Sequence, residues 1–178
     1  MHIEPCFSRP AEFRPYHPAV AEVARLVCYA IQSVQPELRC EHIGSRSVPG
    51  CGGKGIIDLA VLYPKGFLPR ARAALDGLGF QKQGGLEPLP EERPLRVGSV
   101  EHGGGSFRIH AHVVALHSQE HAELIWFRDA LRAGPTLRQR YERRKKAILE
   151  LGIPDSNEYC RAKGALVVDL LKERQPAG

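Results

Sequence analysis

No apolar run in the sequence approaches the roughly 20 residues that a membrane span needs. The opening residues, MHIEPCFSRP, lack the apolar core of a secretory signal. These two absences predict a cytoplasmic location and no membrane partner. Cysteine is also sparse: Cys6, Cys28, Cys40, Cys51 and Cys160 are odd in number, scattered, and never form a C-x-x-C pair. That pattern argues against a disulfide framework and against a cysteine-based zinc site. There is no internal repeat and no Walker-type loop, since Lys54 is followed by Gly55 rather than by Ser or Thr. What is present is a 178-residue chain, 43% hydrophobic and 25% charged, the composition of one globular domain of ordinary size. Its net charge of +5 favours an anionic ligand without choosing between a nucleotide and a nucleic acid.

The most informative stretch is residues 42–61, HIGSRSVPGCGGKGIIDLAV. Glycines let backbone N–H groups come close to a ligand, and Ser45, Arg46, Ser47 and Lys54 add donors, a combination suited to phosphate. Asp58 follows on an apolar run of strand length, where a carboxylate can hold a cation against that phosphate. Farther along, FRIHAHVVAL alternates as a strand does and puts Arg108, His110 and His112 on one face. Should Asp58 or His42 face them, two imidazoles and a carboxylate on adjacent strands would make three ligands with an open position, the arrangement catalytic zinc sites use.

Periodicity supplies the remaining elements. Residues 1–18 are a Pro-rich irregular lead-in to one domain over 19–178, with an α/β core over 19–116 and C-terminal helices over 117–178. A helix is predicted over 19–35, with Val20, Val23, Ala24, Val27, Ala30, Ile31 and Val34 at 3- and 4-residue spacings. Strands follow at 38–43 and 56–63, a helix at 68–78, and a loop with a short strand at its start over 80–94. A hairpin at 95–100 and 106–116 turns around Gly103, Gly104 and Gly105. Ser118 caps a helix whose buried stripe uses Leu124, Phe127 and Leu131, and further helices are expected over 136–151 and 155–172. The basic run Arg138, Arg140, Arg143, Arg144, Lys145, Lys146 reads as a solvated helix face. It lacks the interleaved aromatics that stack bases, which argues against a nucleic-acid partner.

Several of these residues resemble one family. The block HIGS, then VPG, then K-x-IID, with the later H-x-H, WFRDALRA at 126–133, and Tyr159 ahead of Lys163 and Gly164, is similar to the GrpB family (UPF0157 type), a branch of the nucleotidyltransferase-fold superfamily. The resemblance implies an α+β fold, a small mixed sheet flanked by helices with a C-terminal helical portion over the site. It implies a nucleotide or other phosphorylated small molecule as ligand, with Gly44, Ser45, Arg46, Ser47, Lys54 and Lys163 as phosphate-binding residues and Asp58 and Ser45 as catalytic ones. His42 and Tyr159 line the same site. It further implies two metal ions held on acids; here Asp58 is the first acid and His110 and His112 stand where the third is expected. The divalent ion expected on Asp58, His110 and His112 is therefore Mg²⁺ or Mn²⁺, with Zn²⁺ as the alternative that imidazoles bring. A protein partner linked to coenzyme A metabolism is implied as well.

The superfamily pattern is followed only in part. Gly44 and Ser45 match its phosphate-positioning pair and Asp58 its first acid, but Ala60 stands where a second acid belongs, and 107–116 holds no third. Three readings therefore remain: nucleotidyl transfer to an unknown acceptor, a ligand-sensing or interaction module that has lost its acids, and a His/Asp metal-dependent hydrolase. Each residue has a plain structural alternative. Asp58 can be an acid paired with Arg46 or Lys54, the histidines can be sheet-bonded or solvated, and Tyr159 with Lys163 can be a polar helix face. Cys51 beside His42 is a nucleophile pair that its surroundings do not support.

Overall fold

In the computed structural model, which describes residues 2–6, 12–84 and 88–150, five strands form one mixed sheet flanked by four α-helices. The helices are α1 (Ala19–Val34), α2 (Leu68–Gly77), α3 (Gln119–Ala133) and α4 (Pro135–Glu150). The strands are β1 (Arg39–Ile43), β2 (Ile56–Tyr63), β3 (Gln81–Lys82), β4 (Leu95–His102) and β5 (Gly105–Ala115). A 3₁₀ turn, Ser45–Ser47, follows β1. Strand order is β1-β2-β5-β4-β3, with β2 and β5 parallel and every other pairing antiparallel.

This is the mixed α+β architecture the resemblance implies. The β4–β5 hairpin runs two residues longer on its first arm than the sequence predicts, to His102. Gly103 and Gly104 at its tip have φ of 56° and 76°, the backbone that tight two-residue hairpin turns demand. Among the described residues, no helix is long and apolar enough to cross a membrane.

Alternation along β2 decides the layering. Ile57, Leu59 and Val61, all fully buried, join Ile109, Ala111 and Val113 of β5 under α1 and α2, with Val23, Val27, Ile31, Ala71 and Leu75. The opposite face carries Ala60, Leu62 and Val114, packed with Ile43 and covered by Leu124 and Ile125 of α3. A third cluster, Val48, Cys51, Phe127, Leu131 and Tyr141, ties the loop after β1 to α3 and α4. Ser118 caps α3, its hydroxyl accepting from the His121 N–H at 3.2 Å. Residues 2–6 and 12–17 form no regular element but are pinned by two bridges, Glu4 to Ser99 and Arg14 to Gly53. Ile3, 1% exposed, enters the main cluster.

Two expectations need correction. Val34 is exposed at 53%, and Cys28 takes its place on the buried stripe of α1. Cys28 is moreover joined to Cys40 of β1, with Cα atoms 5.1 Å apart, so the reading against disulfides fails for this pair. Its physical origin is local. The short link between α1 and β1 turns the chain back on itself and sets positions 28 and 40 face to face, which neither the odd count nor the spacing reveals.

Candidate functional site

The parallel pairing of β2 with β5 builds the site. Asp58 stands opposite His110, and Ala60 opposite His112, so both imidazoles project on the face that carries the acid. Asp58 Oδ1 lies 3.4 Å from His112 Nε2 and 4.0 Å from His110 Nδ1. The donor atoms of the three residues all fall within 4.8 Å of one another, the one such His/Cys/Asp/Glu group among the described residues. Their side chains are 25%, 29% and 26% exposed, so solvent and small solutes reach them.

The other carboxylate oxygen faces the loop. Gly44 has φ 67° and ψ −172°, a region only glycine occupies comfortably. A Cβ there would meet Asp58 Oδ2 at 2.7 Å. The acid thus lies directly against the Gly44–Ser45 turn, with Oδ1 toward the histidines and Oδ2 toward the backbone. Ser45 Oγ lies toward Gly53, where an added Cβ would meet it at 3.2 Å and Lys145 Nζ at 3.4 Å.

The remaining predicted ligands divide. Ser47 is buried and donates its hydroxyl to the Gly44 carbonyl at 2.7 Å, serving the turn rather than the pocket. Arg46, 5% exposed, donates to the Pro15 carbonyl at 2.6 Å and not to Asp58. Lys54 accepts at its carbonyl from Arg108 at 2.9 Å, which ties the end of the loop to β5. His42 pairs with Leu59 of β2, one position out of phase with Asp58. Cys51 is fully buried, and burial raises its thiol pKa, the reverse of what a nucleophile needs. Tyr159 and Lys163 lie outside the described residues.

A family model described as GrpB protein matches residues 10–173. The chain belongs to the GrpB family. It is 35% identical over 137 residues to a UPF0157 protein of Pseudomonas aeruginosa, covering 76% of this chain and 55% of that one, so it spans just over half the length of that relative. The crystal structure of conserved protein GrpB from Enterococcus faecalis superposes with a TM-score of 0.70 at 24% identity, covering 91% of this chain and 96% of that one. A chain of the GLD-2/RNP-8 complex follows the same fold at a TM-score of 0.51 and 14% identity, over 74% of this chain and 54% of its own. The fold of this GrpB-family chain is nucleotidyltransferase-like.

Sequence reasoning missed the residues that shape the loop. Lys145 of α4, taken above as part of a solvated basic face, is 1% exposed and donates to the Gly52 carbonyl. Glu142 accepts from the Gly52 N–H, Arg138 donates to the Pro49 carbonyl at 3.2 Å, and Arg132 of α3 to the Ser47 carbonyl at 3.0 Å. These side chains satisfy backbone groups that a glycine loop cannot pair internally. The signal was there: Tyr141, Lys145 and Ile148 fall at i, i+4 and i+7, one buried stripe.

His42 gives a pH prediction. Burial lowers its pKa from 6.5 to about 4; Asp58 opposes that shift, while Arg132, Arg128 and Arg46 reinforce it. Because the folded state takes up the proton later than the unfolded chain, stability is full above pH 6.5 and falls as pH drops toward about 4. Urea midpoints measured at pH 7 and pH 5 should differ for the wild type and converge for His42→Gln.

A pair of metal ions held on acids, as the resemblance implies, does not fit these residues. Ala60, fully buried, offers no oxygen where the second carboxylate belongs, and β5 presents two imidazoles instead of a third acid.

Proposed function

We propose that this GrpB-family protein binds a nucleotide or another phosphorylated small molecule at the Gly44–Ser45 turn, beside Asp58. The observation that carries the reading is the contact of Asp58 Oδ2 with the bare Cα side of Gly44. A glycine turn and an acid on a central strand there lie side by side. Ser45 has its hydroxyl beside Gly53, placed to donate to a phosphate oxygen. The side chains of α3 and α4 hold the loop in shape before the ligand arrives, which lowers the ordering cost of binding. Asp58 would orient the cation that accompanies the phosphates, with His110 and His112 beside it.

Titration calorimetry with ATP, GTP, CTP and UTP, each with Mg²⁺, Mn²⁺ or Zn²⁺, tests this. We expect at least one nucleotide to bind the wild type more tightly than about 1 mM and Asp58→Ala to lose that binding. Failure of all four on the wild type overturns the nucleotide reading and with it nucleotidyl transfer.

Ala60 favours a second reading, in which binding serves sensing or partner recruitment and no nucleotidyl group is transferred. Release of pyrophosphate by the wild type in the presence of a bound nucleoside triphosphate would exclude it. Recovery of a stable protein partner with no detectable nucleotide binding would support it.

A further inference from the structure

We infer that Asp58, His110 and His112 form a mononuclear centre for one transition-series divalent ion of the zinc or manganese class, in place of the pair of metal ions on acids that the resemblance implies. Three observations converge. The donor set is two imidazole nitrogens and one carboxylate oxygen, which suits zinc, manganese, cobalt or iron and not the all-oxygen octahedron that magnesium demands. The spacing is right: bonds of about 2.0–2.1 Å to a tetrahedral ion separate its ligands by roughly 3.3 Å. The Asp58–His112 and Asp58–His110 distances of 3.4 and 4.0 Å need only small side-chain rotations to reach that. Finally, the scaffold is stiff, since β2 and β5 each have a strand on both sides in the order β1-β2-β5-β4-β3.

Ala60 belongs to the same argument. It lies opposite His112 on the site face, two residues from Asp58. A carboxylate there would stand against the imidazole, whereas a methyl group leaves His112 room to lean toward Asp58 Oδ1. With Ala60 opposite His112, this face offers nitrogen ligands for borderline ions where a second acid would have offered oxygen for hard ones. The three side chains are about a quarter exposed, which leaves a fourth position reachable from solvent. An ion there would receive a solvent molecule or a phosphate oxygen from the proposed ligand.

The test uses the full chain without nucleotide, so that it stands or falls apart from the ligand proposal. Metal-stripped protein is titrated with Zn²⁺ against a chromophoric chelator and with Co²⁺ followed by visible absorption. The expected result is about one equivalent bound with Kd below roughly 10 μM, and Co²⁺ bands of tetrahedral intensity. His110→Ala and His112→Ala should each weaken binding about 100-fold, while millimolar Mg²⁺ fails to compete. The chain has eight histidines, so binding that survives both substitutions unchanged marks an adventitious surface site and overturns the inference. Competition by Mg²⁺ at equal affinity overturns it too. Because the cobalt spectrum is read on the wild type, absence of nitrogen-ligand bands at saturation overturns it even if the variants fold poorly. Zinc binding without nucleotide binding would leave this inference standing and remove the nucleotide reading.

Discussion

Gly44→Ala is expected to abolish ligand binding at the turn and to lower the melting temperature by roughly 4–24 °C. At φ 67° and ψ −172° the backbone occupies a region that costs a side-chain-bearing residue about 1–3 kcal/mol. The new methyl would also lie 2.7 Å from Asp58 Oδ2, 3.1 Å from its Cβ and 3.2 Å from its Cγ. Either the loop swings away or the carboxylate turns off the site, at about 1–3 kcal/mol more. In a chain of this size each kcal/mol shifts the melting temperature by about 2–4 °C. Gly50→Ala is the control: its φ of 78° carries a backbone penalty, but an added Cβ meets nothing within 4 Å. It should lose less stability and keep binding. If both variants behave alike in calorimetry and thermal melts, the Gly44–Asp58 contact is not what shapes the site.

The second large effect lies away from the site. Arg96 of β4 is 1% exposed, and its guanidinium donates to Asp76 at 2.6 Å and to both Glu91 oxygens at 3.0 and 3.1 Å. Hydrogen bonds from Arg96 hold the Glu91 carboxyl down at about 2 instead of 4.5. Breaking a buried pair by removing one partner costs about 3–5 kcal/mol. The low end applies here, because Asp76 and Glu91 are 46% and 36% exposed and regain water when the cation is gone. Arg96→Ala should therefore lower the melting temperature by roughly 6–12 °C.

The sign with pH follows from the depressed carboxyl. The stabilisation is complete above pH 4.5 and disappears as pH falls to about 2. Chemical denaturation across that range should show a steeper acid limb in the wild type than in Arg96→Ala. By contrast Arg93, half-exposed and paired with Glu120, should cost under about 1 kcal/mol when replaced by alanine. Equal losses at both positions would refute the distinction between buried and exposed pairs.

These effects rest on different kinds of information. Helices and strands were readable because their apolar residues repeat with periods set by backbone geometry: α1 by its 3- and 4-residue spacings, β5 by strict alternation, α3 by the Ser118 cap. The common face of His110 and His112 was readable for the same reason. Their meeting with Asp58 came only through the family resemblance and not from periodicity, because it depends on β2 choosing β5 as parallel neighbour across α2 and a hairpin. No local pattern encodes that choice. Lys145 was half-legible: its spacing from Tyr141 and Ile148 marked a buried stripe, but the abundance of charge around it concealed this, and its partner lies 93 residues away in sequence.

The chain alone thus determined its elements, its family and the chemical character of the loop, since these follow from short-range periodicity, turn chemistry and residue type. Tertiary structure decided which donors converge. It turned Arg46 and Ser47 inward to serve the backbone, brought the acid of β2 and the imidazoles of β5 into one donor set, and drew a lysine from α4 under the glycine loop. The cause is strand pairing and helix packing between distant segments, where burial of the whole sheet sets the register and single residues do not.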